Sequence, residues 1–473
     1  MKFINTTKNS VHLEDIKLSI PYNDEIPQHI DTELVKRSSS FQQMVSFGGF
    51  KVIEATVDRI EQNLLKLSNL YNPIIEEEKT RPKSGNKVEV ILRGHFYETT
   101  GYSKVNRNLA INLYRNGFFV EIDPISTKNN DMNEIEARVF SSFRKTAGKD
   151  AILIDSVIPS QGNPIKGHYN ILYTTSECCF VPKQFIEIAS SYDEIWVTSN
   201  FSKSSFKNSG CNSKITVVPP IINKNLYKEN VSPYLFRPQL REFSFLSVLT
   251  WDYRKGSDAL LKSYCKTFTN RDEVSLVLLI SEKSKSIQKE IKEDIRKHMS
   301  FPNAPHVLVC TKSIVEHQMP SFYKSCNAFV LPSRGEGFGL PFCEASLCGL
   351  PIISTNYGGQ LDFLSENNST LIDVDELEKA SKTGIHYWDG QLFPSLKSES
   401  FINSLADGMR SVYLNYGKSV EKNKILQNKI IEYFSGEKVK HQTKILLDSV
   451  WDSLKRRKND CSIKYIKQNY YNM

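Results

Sequence analysis

The sequence predicts an α/β protein in which two successive doubly wound domains face a cleft, preceded by an accessory region. Three observations lead there. From about residue 88 onward, short apolar runs alternate with amphipathic stretches, which is the βαβ rhythm of a parallel sheet. That series runs twice, interrupted at Pro219-Pro220. The 473 residues also exceed what one hydrophobic core organises.

The elements follow in order. In residues 1–85, Ile16, Leu18 and Ile20 alternate like a half-buried strand and Val57–Leu67 has a helical pattern. Ser38-Ser39-Ser40 and Gly48-Gly49 mark turns, and the charged stretch Glu76–Lys87 closes this accessory region. Residues 86–235 form the first sheet domain. Strands are predicted at Val88–Arg93, Phe118–Ile122, Ala151–Ile154, Asn170–Tyr173, Glu194–Thr198 and Ile215–Val218. Between the first two, Val105, Leu109 and Leu113 share one helix face. Pro219-Pro220 opens a linker reaching to about Glu242.

Residues 236–440 form the second sheet domain. Its strands are predicted at Phe243–Leu249, Val274–Ile280, His306–Cys310, Ala328–Leu331, Pro351–Ser354 and Thr370–Ile372. Helices are predicted at Ser257–Phe268, Ile287–His298 and Pro320–Ser325, with a later one presenting Phe401, Leu405, Met409 and Val412 on one face. Residues 441–473 supply a C-terminal helix and a basic tail from Leu454, which reads as a solvated end or a contact patch. Two such domains place a ligand between the carboxyl edges of their sheets.

Composition narrows the classes. Hydrophobic residues at 40% and charged residues at 24% exclude a disordered chain. No window approaches the ~18 uninterrupted apolar residues of a transmembrane helix. Met1–Ser10 is polar and does not read as a secretory signal. The nine cysteines are an odd count with no C-x-x-C pair, and several lie in apolar segments. They predict free thiols in a reducing cytoplasm and no structural zinc. The net charge of +8 suits anionic partners such as nucleotide diphosphates, polyanionic acceptors or a membrane surface. No groove-reading motif singles out nucleic acid, which stays open as a partner.

The strongest chemical signal is Pro332-Ser-Arg-Gly-Glu-Gly-Phe-Gly-Leu-Pro-Phe-Cys-Glu344. It follows a predicted strand and opens a helix, so its backbone N–H groups and helix dipole face an anion. Gly335, Gly337 and Gly339 are expected to let the chain approach a ligand closely. Glu336 falls in the turn, and Glu344 eight residues on, two turns along by helix geometry. Two carboxylates so spaced suit the hydroxyls of a sugar and of a ribose. Gly349-Leu-Pro351 and Tyr357-Gly-Gly359 follow downstream.

The second signal is Leu249-Thr-Trp-Asp-Tyr-Arg-Lys-Gly256, after the first strand of the second domain. Arg254 and Lys255 before a helix start can neutralise a leaving diphosphate, or can be a solvated charge pair. The third is Arg93-Gly94-His95 with Thr99-Thr-Gly-Tyr-Ser103 leading into a helix. The fourth is Tyr173-Thr-Thr-Ser-Glu177 at a strand end, where Glu177 reads equally as an acceptor ligand or a helix cap. Asp155 and Ser199 also end strands.

These segments resemble the family 4 retaining glycosyltransferases (glycosyl transferases group 1), whose E-x7-E signature matches Glu336 to Glu344. The resemblance covers about residues 88 to 450 and implies the GT-B fold, two Rossmann-like domains around a cleft. It implies that Glu336 contacts the donor sugar and Glu344 the ribose. The amides of Phe338, Gly339 and Leu340 would cradle the diphosphate, beside Gly337. Lys255 in the Arg-Lys-Gly triplet would bind donor phosphate. Thr250 stands where many members have an arginine, which leaves open whether Arg254 substitutes for it or a single cation suffices. Gly101 and Tyr102 would border the reaction centre, while His95 would contact the acceptor or be a loop histidine without a role.

The implied function is transfer of a sugar from a nucleotide-diphosphate sugar to a hydroxyl acceptor, with retention, in glycan or polysaccharide assembly. Protein or modified DNA are alternative acceptors. No cofactor is implied: the nucleotide sugar is a co-substrate. No Asp-x-Asp motif is read where a metal would bridge donor phosphates, which predicts metal independence. The rival readings are a non-catalytic binding protein on the same fold, or a sugar phosphorylase or sugar-nucleotide hydrolase.

Overall fold

The structure is a computed structural model. It describes residues 88–470, except 127–138, 144–146, 149, 229–230, 237, 282–283, 312–313, 315, 382 and 384, with side chains as far as 456. Before them it describes the backbone of 2–5, 11–13, 18–20 and 50–53. The chain divides into two compact units, Met1–Arg81 and Pro82–Met473. In the first, β1 (Lys2–Asn5) pairs antiparallel with β4 (Phe50–Ile53), and β2 (Val11–Leu13) with β3 (Leu18–Ile20). The strand expected around Ile16–Ile20 is β3; Ile16 and the helix expected at Val57–Leu67 lie outside the described residues.

The second unit holds two six-stranded sheets in which every pairing is parallel. The first contains β5 (Glu89–Gly94), β6 (Phe119–Pro124), β7 (Ile152–Ser156), β8 (Tyr169–Thr174), β9 (Glu194–Val197) and β10 (Ile215–Val217), in the order β10-β9-β8-β7-β5-β6. Its helices are α1 (Gly101–Arg115), α2 (Lys183–Ala189) and α3 (Asn200–Asn208). Helix α1 starts where the Thr100 side chain accepts a bond from Ser103 N. Leu109 and Leu113 are buried beneath it, while Val105 turns toward the cleft.

The linker is not an open loop. It carries α4 (Lys224–Lys228), and Ile222, Tyr227 and Phe236 are buried in the second domain's core. The second sheet comprises β11 (Phe243–Leu249), β12 (Val274–Ile280), β13 (His306–Cys310), β14 (Ala328–Leu331), β15 (Ile352–Thr355) and β16 (Thr370–Ile372). Its order is β13-β12-β11-β14-β15-β16. Every residue of β12 and β14 is buried, which is why β14 reads as a continuous apolar run and β12 as one broken only by Ser275. The helices are α5 (Ser257–Thr267), α6 (Lys285–His298), α7 (Met319–Tyr323) and α8 (Leu340–Leu347).

A short antiparallel pair, β17 (Leu377–Lys379) with β18 (Leu392–Pro394), precedes α9 (Glu399–Leu414). Then α10 (Tyr416–Tyr433) and α11 (Glu437–Tyr470) bring the chain back to the first domain. There Gln442 Nε2 donates to Val217 O at 2.8 Å, and Asn116 Nδ2 to Lys440 O at 3.1 Å.

Each sheet reverses its strand order once: at β5/β7 in the first and β11/β14 in the second. In open α/β sheets the loops leaving the carboxyl ends at that reversal form a crevice. The segments 94–101, 250–256 and 332–339 leave those ends, and they meet in one cleft.

Candidate active site

The cleft is a cavity of about 700 Å³ lined from both domains. Gly101, Tyr102 and Lys104 of α1 and Glu177 after β8 face Arg254, Lys255, Glu336, the Gly337–Leu340 turn and Glu344.

Glu336 is buried, and its Oε1 accepts from Lys255 Nζ at 2.6 Å and from Arg254 Nη1 at 3.3 Å. Burial opposes ionisation, but the charges of Lys255 and Arg254 outweigh it and hold the carboxyl below the ordinary glutamate value. Burial and the neighbouring Arg254 push the Lys255 ammonium down, against the pull of Glu336. Arg254 also donates to Gly335 O at 2.9 Å and lies over the Trp388 ring at 5.1 Å.

Arg334, which sequence reasoning passed over, fixes this cluster. It is 1% exposed. Its guanidinium grips both Asp258 oxygens at 2.9 and 2.8 Å, donates to Tyr253 O at 2.7 Å and stacks on the Tyr253 ring at 4.3 Å. The two loops that line the cleft from the second domain are thereby tied together. Arg334 N donates to Arg254 O, and a Cβ on Gly256 (φ +66°) would strike Pro332 O at 2.0 Å. Thr250 hydrogen-bonds Asp252, whose side chain accepts from Lys255 N.

The glycines serve partly another purpose than the one expected. A Cβ on Gly337 would lie 1.8 Å from Thr175 Oγ1, and one on Gly335 2.1 Å from Glu177 O. Their bareness makes room for the first domain. Gly337 O accepts from Ser199 Oγ at 2.6 Å and Thr198 Oγ1 at 3.1 Å, which seals the seam. Ser199 also caps α3. Gly339 (φ +91°) is the N-cap of α8, without a side-chain cap, so the helix N-terminus opens on the cavity beside Phe338 and Leu340. Because α8 begins at Leu340, Glu344 stands one turn into the helix rather than two.

Glu344 is buried, with Oε1 accepting from Lys104 Nζ at 2.7 Å and Oε2 from Tyr323 Oη at 2.8 Å. One turn further along α1, Arg107 Nη2 meets Glu316 Oε2 at 2.8 Å. Both pairs cross from the first domain to the second, between residues too far apart in sequence for a local pattern to signal them. Burial and Glu336 lift the Glu177 carboxyl above its usual value, against Arg254. Tyr102 Oη lies 3.4 Å from Thr174 Oγ1.

His95 is outside the cavity lining, placed 3.3 Å from both Glu98 Oε1 and Gln161 Oε1. Asp155 is fully buried and accepts from Tyr192 Oη at 2.6 Å and Asn163 N at 2.8 Å. The one Asp-x-Asp triplet of the second sheet domain, Asp373-Val-Asp375, follows β16. Its carboxylates accept from Asn356 and Ser398, and neither lines the cavity. Among the described residues no helix is long and apolar enough to cross a membrane.

Two doubly wound sheets whose reversal-point loops meet over a cationic, helix-capped cleft define a GT-B protein. Residues 237–388 match the family Glycosyl transferases group 1. Among solved structures it is similar to a sucrose-phosphate synthase from Thermosynechococcus elongatus (TM-score 0.57, 14% identity, covering 78% of this chain and 100% of that one). It is also similar to HepE of Anabaena in complex with UDP and glucose (TM-score 0.54, 14% identity, 76% and 100% covered). These likenesses show the fold.

In sequence, it is 28% identical over 191 residues to the O-antigen biosynthesis glycosyltransferase WclY of Escherichia coli, covering 36% of this chain and 52% of that protein. A GDP-mannose-dependent phosphatidylinositol monomannoside mannosyltransferase of Corynebacterium glutamicum is 23% identical over 144 residues, covering 29% and 35%. The chain thus spans about half the length of these relatives or less.

Proposed function

We propose that this protein transfers a sugar, with retention, from a nucleotide-diphosphate sugar to a hydroxyl acceptor in glycan or polysaccharide assembly. The observation behind this reading is the Glu336–Lys255–Arg254 cluster beside the open N-terminus of α8. Leaving of a nucleotide diphosphate needs its growing charge met in a water-poor site. Two cations and helix-terminal N–H groups fixed in advance are suited to that. Glu336, kept ionised by the same cations, accepts hydrogen bonds from the donor sugar, and Glu344 from the ribose. Glu177, Gly101 and Tyr102 border the acceptor's approach from the first domain. In this reading the departing phosphate takes the acceptor's proton, so no protein nucleophile and no metal are required. The relatives named for O-antigen and mannoside synthesis support a carbohydrate acceptor, and the complex of HepE with UDP and glucose supports a nucleotide-sugar donor.

Thermal-shift measurements with UDP, GDP, dTDP, ADP, CMP and their sugars test the donor site. Ligand at a hundredfold its Kd stabilises by ~2.7 kcal/mol. One responding nucleotide, followed by a transfer product that forms only with acceptor, is the expected result. Free sugar or sugar phosphate in the absence of acceptor would mean hydrolysis or phosphorolysis instead. Silence across the panel would make this a binding protein.

A further inference from the structure

Lys104 lines the cavity, and its ammonium ends on Glu344. Its position is unfavourable in isolation. It stands in the first turn of α1, where the helix dipole repels a cation, and its side chain is only 16% exposed. Burial would lower its ammonium, yet the charges of Glu344 and Glu316 from the opposite domain lift it above the ordinary lysine value. A lysine held there at such cost is bound to its partner carboxylate. That carboxylate in turn is clamped on both oxygens, by Lys104 on one and Tyr323 on the other. An ionised carboxylate offers about four lone-pair sites, so each oxygen retains room for a further hydroxyl.

We propose that Lys104 is a positioning residue for nucleotide recognition: by pairing with Glu344 across the cleft it fixes the carboxylate that receives the ribose hydroxyls. Ribose is then read only when the two domains are together, because the carboxylate comes from one and its orienting cation from the other. The inference rests on the reading of Glu344 as the ribose ligand. The neighbouring Arg107–Glu316 pair also joins the domains, and it provides the comparison for a role in adhesion alone.

The test measures Kd by calorimetry for UDP, GDP and ADP, each beside its 2′-deoxy and 3′-deoxy counterparts. The full-length wild type is compared with Lys104→Met, Lys104→Arg and Glu316→Gln, each checked for a cooperative melt. Wild type should prefer the ribonucleotide about 10-fold or more, the worth of a hydrogen bond to a charged group. Lys104→Met should lose most of that preference and Lys104→Arg should keep it. Glu316→Gln should weaken ribo and deoxy forms alike. If Lys104→Met does not fold, Lys104→Gln takes its place with the same expectation. A full wild-type preference in the uncharged variant, or its equal loss in the arginine variant, overturns the proposal while leaving the donor site intact. Wild type that binds nucleotides without preferring ribose also overturns it. Wild type that binds none of them overturns the donor reading as well.

Discussion

Lys255 and Glu336 are 81 residues apart in sequence, yet their side chains meet at 2.6 Å inside the second domain, both of them buried. A buried pair of this kind is costly to break from one side, because the remaining charge has no water to return to. With Glu336 holding the donor sugar as proposed, Glu336→Ala should lower kcat/KM roughly 10- to 150-fold, the worth of one charged hydrogen bond. Steady-state kinetics with the identified donor check this, and an unchanged kcat/KM would take Glu336 out of the donor site.

Lys255→Met should raise the donor KM and slow turnover, and should itself destabilise by up to about 3 kcal/mol. In the double variant Lys255→Met/Glu336→Gln part of that stability loss should return, since neither partner is left charged. Urea unfolding of the four proteins gives the coupling energy, and strict additivity would contradict the geometry.

Two carboxyls of the cleft, Glu336 and Glu177, should respond to pH with opposite signs. Glu336 has its folded pKa depressed by Lys255 and Arg254, so it contributes stability above the unfolded glutamate value and loses it as pH falls through the folded one. Glu336→Gln should therefore lower Tm at pH 7, with the difference shrinking in acid. Glu177 has its folded pKa raised by burial and by Glu336, so the protein gains stability from it as pH falls through that raised value. Glu177→Gln should raise Tm at pH 7 to 8 and converge with wild type below the unfolded value. Melting curves across pH 4 to 8 decide, and parallel curves for the two variants would show that the signs are misassigned.

Gly337→Ala should wedge the seam between the domains, because its methyl group would overlap Thr175 Oγ1. Overpacking of this kind costs about 1–3 kcal/mol. Thr175→Gly in the same chain should return much of the activity. A Gly337→Ala protein with normal kinetics would mean that the seam gives way freely.

Arg334→Lys keeps a charge but loses the two-pronged grip on Asp258 and the stacking on Tyr253. We expect a lower Tm and a higher donor KM, because the Arg254–Lys255 turn loses its brace. Equal Tm and KM to wild type would show that the brace is redundant.

Much of this architecture is legible in the residues. Strands such as Phe243–Leu249 and Val274–Ile280 are buried on both faces and announce themselves as mainly apolar runs, broken only by small serines. Glu336 and the Arg254–Lys255 doublet are legible because each lies in a contiguous motif at a strand end. The linker is harder to read: Ile222, Tyr227 and Phe236 pack into a core without a helical or strand period to reveal it. Lys104 and Arg107 look like ordinary surface cations, since their partners are 240 and 209 residues away. Gly335 and Gly337 suggest a ligand-hugging turn, and only the packed neighbour shows that a second domain takes up that space.

The return of α11 to the first domain has a mechanical consequence. The backbone passes between the sheet domains twice, once through residues 219–242 and again between α10 and α11. A door hung at two points swings about the line through both and does little else. Any swing that parts the cleft must draw Lys104 and Arg107 off their two glutamates in one stroke, so the ion pairs would yield as a set or not at all.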